Sequence, residues 1–353
     1  MSTAFYHNND VSRWHLDQCQ IVGDRYANLE LFLSSDHEFK FAVMHSPAFS
    51  DTSQFECDLQ LLSTNCNLVI LMTSEVHDET VDLIQRNYRS NIINFICGAL
   101  NNQIPYRHWM DWFVTSCAFY KHKPQVLDKL NPYVCKAKTF DILLGQPKPH
   151  RTHIYNFAKE FNDRVIMTYF KNHYTPIRQL AENGWIWESE GLVIPNHDFN
   201  FTVTPVIYYD ISMSLSQIVP LEIYNQTAYS IVCETNFQNH YSFFTEKTVK
   251  PILGRRLFLM FGGQYQLENL RKLGFQTFDG IVDESYDTVA CFETRAKMIK
   301  DQMRYLLSQD QQTILDKIKP ITEHNYHTML TTDWYGDFAR EFQSVVLDHT
   351  RQN

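Results

Sequence analysis

Leu68-Val-Ile-Leu-Met-Thr73, then Asp78 to Tyr88, then Asn91-Ile-Ile-Asn-Phe-Ile-Cys97 decide the fold class. The outer runs are short, continuous and apolar, as expected of strands buried on both faces of a parallel sheet. The polar middle segment reads as a crossover helix. Strand, helix and strand in that order form a βαβ unit, so this part of the chain is α/β.

A second series starts after Pro132. Thr139–Leu144 reads as a strand ending at Gly145. The turn Gln-Pro-Lys-Pro-His-Arg151 follows, then a helix to about Phe161 and a strand over Arg164–Phe170. Residues 172–227 are less regular, although Val206–Tyr209 has strand character. Tyr229–Cys233 is a strand. Thr245 can cap a short helix, which Pro251 limits. Arg256–Phe261 is a strand closed by Gly262-Gly263, Gln266–Leu273 a helix stopped by Gly274, and Thr288–Ser308 helical. The expected architecture is two Rossmann-like domains facing across a cleft. Residues 1–136 form the first, 137–310 the second, and C-terminal helices in 311–353 pack back on them.

The 353 residues are 44 % hydrophobic and 14 % aromatic, which excludes a disordered or collagen-like chain. The net charge of −9 disfavours a nucleic-acid binder held by overall charge. One stretch runs the other way: Lys121 to Arg151 holds seven Lys or Arg and two Asp. It reads either as a solvated surface or as a local positive field for a phosphate-bearing ligand. None of the eight Cys forms a Cys-x-x-Cys pair, so no zinc site is expected. The first residues carry no leader pattern and no apolar run approaches a membrane span, so reduced thiols and a cytoplasmic location are expected.

Tyr229 to Gly263 concentrates the chemistry. A strand delivers Glu234 at its carboxyl end, and Thr245-Glu246-Lys247 then opens a helix. Ligands of open α/β sheets bind beyond strand carboxyl ends, and helix N-termini there attract anions. A Lys in the first turn can neutralise a diphosphate, and a Glu can accept two hydrogen bonds from a ribose diol. The same Glu also serves as an ordinary complement to the helix dipole, so both readings stand.

Tyr229-Ser-Ile-Val-Cys-Glu-Thr235, with Ser242-Phe-Phe-Thr-Glu-Lys-Thr-Val-Lys-Pro-Ile252, resembles the donor-binding motif of α1,3-fucosyltransferases. The wider pattern is similar to a glycosyltransferase-like family frequent in bacteriophages and marine microbes. Its run continues into Leu270-Arg-Lys-Leu-Gly-Phe-Gln-Thr-Phe-Asp279 and Asp283-Glu-Ser-Tyr-Asp287. The resemblance covers about residues 138–170 and 229–295. It implies a GT-B fold and a glycosyltransferase using a GDP- or UDP-linked sugar as co-substrate, without a further cofactor. Glu246 would hold the ribose, Lys247 and Arg151 the diphosphate, and Glu234 would line the sugar pocket. Thr235-Asn236 replaces the family's Asn-Ser, and the spacing from Glu234 to Glu246 is slightly longer.

Asp-x-Asp, the mark of metal-dependent GT-A enzymes, does not occur in the sequence, which favours metal-independent transfer. Glu75, with His77 and Asp78 behind it, follows the first strand and is the candidate base for the acceptor hydroxyl. Each of these could equally be a helix cap or a surface polar residue. Asp283 to Asp287 either lines the cleft, with Tyr286 near the donor, or is a capped loop leading into the long helix. His150 could touch phosphate or serve the turn. Trp109, Trp112, Trp185 and Trp187 could stack on sugars or pack in the core. The expected acceptor is a glycan or small molecule, without a membrane span. The alternatives are a transferase acting on phage DNA bases and a non-catalytic nucleotide or glycan binding module.

Overall fold

Six parallel strands build the first sheet: β1 (Thr3–His7), β2 (Asp24–Tyr26), β3 (Phe39–His45), β4 (Leu68–Thr73), β5 (Ile92–Ile96) and, after β6 (Gly98–Leu100), β7 (Tyr106–His108). These coordinates are a computed structural model that describes residues 2–46, 52–74, 78–145, 148–169, 192–193 and 205–351. The spatial order is β2-β1-β3-β4-β5-β7. The chain therefore steps outward from β1 on one side and returns on the other, which makes a switch point between β1 and β3.

The strands alternate their side chains between two apolar faces. Ala4, Tyr6, Ala42, Met44, Val69 and Leu71 join one core with Phe55, Leu59, Leu62, Leu83 and Ile84. Those partners lie on the crossover helices, which in chain order are α1 (Asp10–Gln18), α2 (Leu29–Leu33), α3 (Ser53–Asn65) and α4 (Asp78–Asn87). Phe95 packs on Phe338 and Phe342 of the C-terminal helix Trp334–Arg351, with ring centroids 5.5 and 5.6 Å away. Helix α1 starts at a capping box. Ser12 N–H donates to Asn9 Oδ1 and Asn9 N–H to Ser12 Oγ.

Contacts divide the chain into two units. The first is Met1–Asp111, Gln238–Phe243 and Asp333–Asn353, and the second is Trp112–Phe237 and Phe244–Thr332. The division thus falls at 111/112, where the sequence placed it at 136/137. The C-terminal helices are also shared out: Gln311–Thr331 belongs to the second unit and Trp334–Arg351 to the first. The reason is long-range packing that local composition does not display. On α5 (Asp111–His122), Phe113 meets Phe244 and Phe275, and Tyr120 Oη accepts from Val219 N–H. In the first unit, β14 (Tyr241–Phe243) pairs antiparallel with β6.

The second unit holds a four-stranded parallel sheet in the order β9-β8-β13-β15: β8 (Lys138–Leu143), β9 (Val165–Thr168), β13 (Thr227–Cys233) and β15 (Phe258–Phe261). Its switch point lies between β8 and β13. Helix α6 (Pro149–Ala158) follows β8. After α7 (Leu221–Gln226) and β13 come α8 (Glu246–Leu253) and, beyond β15, α9 (Gln266–Lys272). Seven consecutive buried residues make β13 a central strand.

A buried ion pair fastens the middle of this sheet. Arg256 Nη2 donates to Asp141 Oδ1 at 2.8 Å, while its other nitrogens bond Ser230 Oγ and the carbonyls of Tyr224 and Thr227. A separate antiparallel sheet comprises β10 (Leu192–Val193), β11 (Pro205–Tyr208) and β12 (Ile211–Ser214). Its hairpin turn puts Tyr209 and Asp210 at φ 47° and 66°.

Candidate functional site

The switch point of the second sheet gathers the residues that the sequence singled out. Arg151 lies in the first turn of α6, just beyond β8. Glu234 follows the last residue of β13, and Glu246 and Lys247 open α8. Side chains of α6 and its cap reach across to the end of β13. His150 Nε2 donates to Glu234 O at 2.9 Å, and Lys148 Nζ to Thr235 O at 3.2 Å. Lys247 Nζ donates to Thr235 Oγ1 at 3.2 Å.

Glu234 does not face a sugar pocket. It is 0 % exposed, and protein donors surround its carboxylate. Oε1 accepts from Thr245 N–H at 3.1 Å and from Thr248 Oγ1; Oε2 accepts from Thr245 Oγ1 at 2.8 Å and Thr235 N–H at 3.1 Å. The carboxylate caps the positive end of α8, and its four donors offset the cost of burying a charge. Thr245 completes the cap by accepting from Lys247 N–H. The N-terminus of α8 is therefore closed by the chain's own groups.

The start of α6 differs. Lys148, at its cap, makes no side-chain capping bond, and no acidic residue stands in its first turn. Lys148 and Arg151 are there instead. Arg151 is 4 % exposed, with Nη1 turned toward Gly145, 3.6 Å from where a Cβ on that glycine would lie. Arg151 and Lys247 both act on the thiol of Cys233. Burial pushes that thiol up to about 12, and the two cations work against the rise.

Glu246 and Lys247 pair with each other, Nζ to Oε1 at 2.6 Å. Burial opposes the charge on Glu246, but Lys247 and Lys250 outweigh it and hold its carboxyl below the usual range. Lys250 is pushed down to about 8, mainly by burial. Its position four residues after Glu246 was the signal for this interaction in the sequence, which the motif reading passed over. Burial, followed by Arg151, Lys148 and Lys247, depresses His150 to about 3, so its ring is neutral. Asp141, Cys233, Lys247 and Lys250 line a small cavity of about 20 Å³, room for a water molecule.

Other expectations meet different geometry. Tyr286 is 1 % exposed and its oxygen accepts from Met260 N–H at 3.2 Å, so it packs under β15 and does not face a donor. Asp283 to Asp287 is the structural loop of the two readings. Glu284 accepts from Thr277 Oγ1, Phe278 N–H and Arg271, and Asp287 caps α9 through Leu267 and Glu268 N–H. Glu75 and His77 lie outside the described residues. So do Trp185 and Trp187, whereas Trp109 is buried at 4 % exposed.

Much of the basic stretch is engaged in holding the second unit together. Lys121 and Lys138 donate to the carbonyls of Thr332 and Asp163; Lys123 and Lys129 hold the oxygens of Tyr209. Only Lys148 and Arg151 of this stretch are seen at the strand ends described above. No protein-family model, curated protein or solved structure matches the chain. No helix among the described residues is long and apolar enough to cross a membrane.

Proposed function

We propose that the second unit binds a nucleoside diphosphate sugar and that the protein transfers the sugar to an acceptor hydroxyl. The observation that carries this reading is the convergence of Lys148, Arg151 and Lys247 on the end of β13, at the switch point of a parallel sheet. Open α/β sheets bind ligands at this place, and the uncapped start of α6 adds its dipole. Glu234 faces the positive end of α8 and the Glu246–Lys247 pair is neutral as a whole, so at rest the positive field at the strand ends comes from Lys148 and Arg151. The resemblance of residues 229–235 and 242–252 to a fucosyltransferase donor motif points the same way. The finer expectation, a GT-B pair of domains, belongs to this proposal.

In this reading the cavity beneath Lys247 is too small for the ligand, which lies over the strand ends. Its diphosphate takes Lys247 from Glu246, and Glu246 becomes free to accept the ribose hydroxyls. Arg151 supplies a guanidinium fork and Lys148 a point charge. As the sugar–phosphate bond breaks, these fixed cations stabilise the charge that develops on the leaving diphosphate. A thermal-shift series with UDP, GDP, CDP and their sugars tests the reading. Binding raises the melting temperature by mass action, and a series without any rise overturns the assignment.

A further inference from the structure

Lys250 is a further cation beside Glu246 and Lys247. It stands half-buried on α8 and lines the small cavity with Lys247, Asp141, Ser230 and Cys233. Its ammonium makes no hydrogen bond or ion pair among the described residues. Two of the carboxylates that act on its charge are already held. Asp141 Oδ1 accepts from Arg256 Nη2 and from Ser230 Oγ, each at 2.8 Å, and Glu234 caps α8.

The third carboxylate is Glu246, 6 % exposed, with Lys247 as its bonded cation. Adjacent residues of a helix do not face each other, whereas residues four apart share a face. Glu before Lys at that spacing is the favoured order. The resting pair Glu246–Lys247 is therefore the one that helix geometry supports less, and Glu246–Lys250 the one that it supports.

Nucleotide binding draws Lys247 to the diphosphate. A buried carboxylate that loses its cation is strongly destabilising, because its charge is no longer compensated. An ammonium one turn away, with no bond of its own to break, removes that obstacle.

We propose that Lys250 is the reserve counter-ion of Glu246: when a diphosphate takes Lys247, Lys250 turns from the cavity to that carboxylate and keeps it in place for the ribose. The role rests on the nucleotide reading of the same site. Lys250 is then a positioning residue, and it makes the site sensitive to pH.

Burial, ahead of any charge, pushes Lys250 down to about 8; among the charges, Glu246 favours its ammonium most. Other groups around it stay in one state there. Burial pushes Cys233 up to about 12 and Tyr224 well above the usual phenol range. Asp141 is paired with Arg256. The helix Gln311–Thr331, which packs on α8, buries only uncharged residues. Capture by Glu246 raises the Lys250 pKa again. Binding above pH 8 then takes up a proton, and affinity falls as pH rises through 8.

The test is isothermal titration of the full chain at pH 7, 8 and 9 with UDP, GDP or CDP, whichever gives the largest thermal shift. Lys250→Arg is the reference, since it stays charged and shares every titration of the nucleotide. From pH 7 to 9 the wild-type Kd is expected to rise about tenfold relative to this variant. Lys250→Met, its fold checked by circular dichroism, is expected to weaken binding at pH 7 at least tenfold. A wild-type pH profile in Lys250→Arg, or a wild-type Kd in Lys250→Met, overturns the proposal. Urea denaturation without nucleotide separates it from the donor reading. Lys247→Met with Lys250→Met should shift the midpoint by more than the two single changes together, and Glu246→Gln should abolish the excess. Additive shifts overturn the exchange. If no nucleotide binds and the excess persists, the donor reading falls and the reserve counter-ion stands.

Discussion

His150 Nε2 donates to the main-chain oxygen of Glu234 across 2.9 Å, with both residues 0 % exposed. The bond fastens the start of α6 to the end of β13, so one neutral imidazole sets where Arg151 stands relative to Glu234. Its ring also stacks on Phe237, 4.5 Å between centroids, which leaves little room for a charged form. His150 is therefore a positioning residue whose neutrality is built into the fold.

An acid-sensitive stability follows from that neutrality. His150 and the equally buried His15 are depressed to about 3, chiefly by burial, while unfolded histidine titrates near 6.5. Below that value the unfolded chain takes up protons that the folded chain refuses. The stabilisation is complete above pH 6.5 and is lost as pH falls toward 3. Each histidine is expected to remove about 1.4 kcal/mol per pH unit well inside that window. Urea titrations at pH 7, 6, 5 and 4 measure this. The pair His15→Phe and His150→Gln should flatten the slope, since Phe suits the aromatic surroundings and Gln can still donate to Glu234 O. An unchanged slope in the double variant would assign the acid sensitivity to other groups.

Glu234→Ala should be among the more destabilising single changes in the second unit. It leaves Thr245 N–H, Thr248 Oγ1 and Thr235 N–H without their acceptor and uncaps α8. Roughly 3 kcal/mol or more is expected, with Glu234→Gln milder because one oxygen remains. Chemical denaturation decides the matter. A loss under about 0.5 kcal/mol, the range of ordinary surface changes, would mean the carboxylate is not buried in this cap.

Tyr286 separates a packing role from a donor role. Tyr286→Phe removes only the oxygen that accepts from Met260 N–H. The expected cost is about 1–2 kcal/mol of stability, with the nucleotide-induced rise in melting temperature unaltered. A variant that kept its stability and lost the nucleotide response would return Tyr286 to the ligand.

The two sheets were legible in the sequence where strands are continuous and apolar. Leu68–Thr73 and Tyr229–Cys233 are buried throughout, and their patterns said so. The helix start at Thr245 was legible as well, from its cap residue. Partners were what the sequence hid. Glu234 looked like a pocket residue because a strand-end carboxylate is also the residue type that binds sugar hydroxyls. Only the three-dimensional placement of Thr245 and Thr248 shows that its oxygens are taken. The short β6–β14 ribbon escaped because three-residue strands carry no periodicity, and its members are far apart in sequence.

Lys247→Ala and Arg151→Ala test the donor site directly. Each is expected to weaken nucleoside diphosphate binding at least tenfold, about 1.4 kcal/mol, because charge-assisted bonds to phosphate are among the stronger polar contacts. Isothermal titration with the nucleotide that gives the largest thermal shift measures it. Lys247→Ala also leaves the Glu246 carboxyl without its nearest cation. The double change Glu246→Gln with Lys247→Ala separates that repulsion from the loss of the phosphate contact. Equal Kd values for wild type and both single variants would return the cluster to a structural role.

Gly98 provides a backbone test of the first unit. Its φ is +149°, and a Cβ there would lie 1.9 Å from Ser242 O, the atom row that pairs β6 with β14. Backbone cannot yield as a flexible side chain does, so Gly98→Ala should part the ribbon and cost roughly 3 kcal/mol or more. Gly280 is the control. Its φ is +80°, but nothing lies within 4 Å of the added methyl, so Gly280→Ala carries only the conformational strain, about 1–2 kcal/mol. Hydrogen exchange at the amides of residues 98–100 and 241–243 should quicken in Gly98→Ala alone. Equal costs for the two variants would mean that the close approach to Ser242 relaxes freely, and that the ribbon owes its geometry to something other than this glycine.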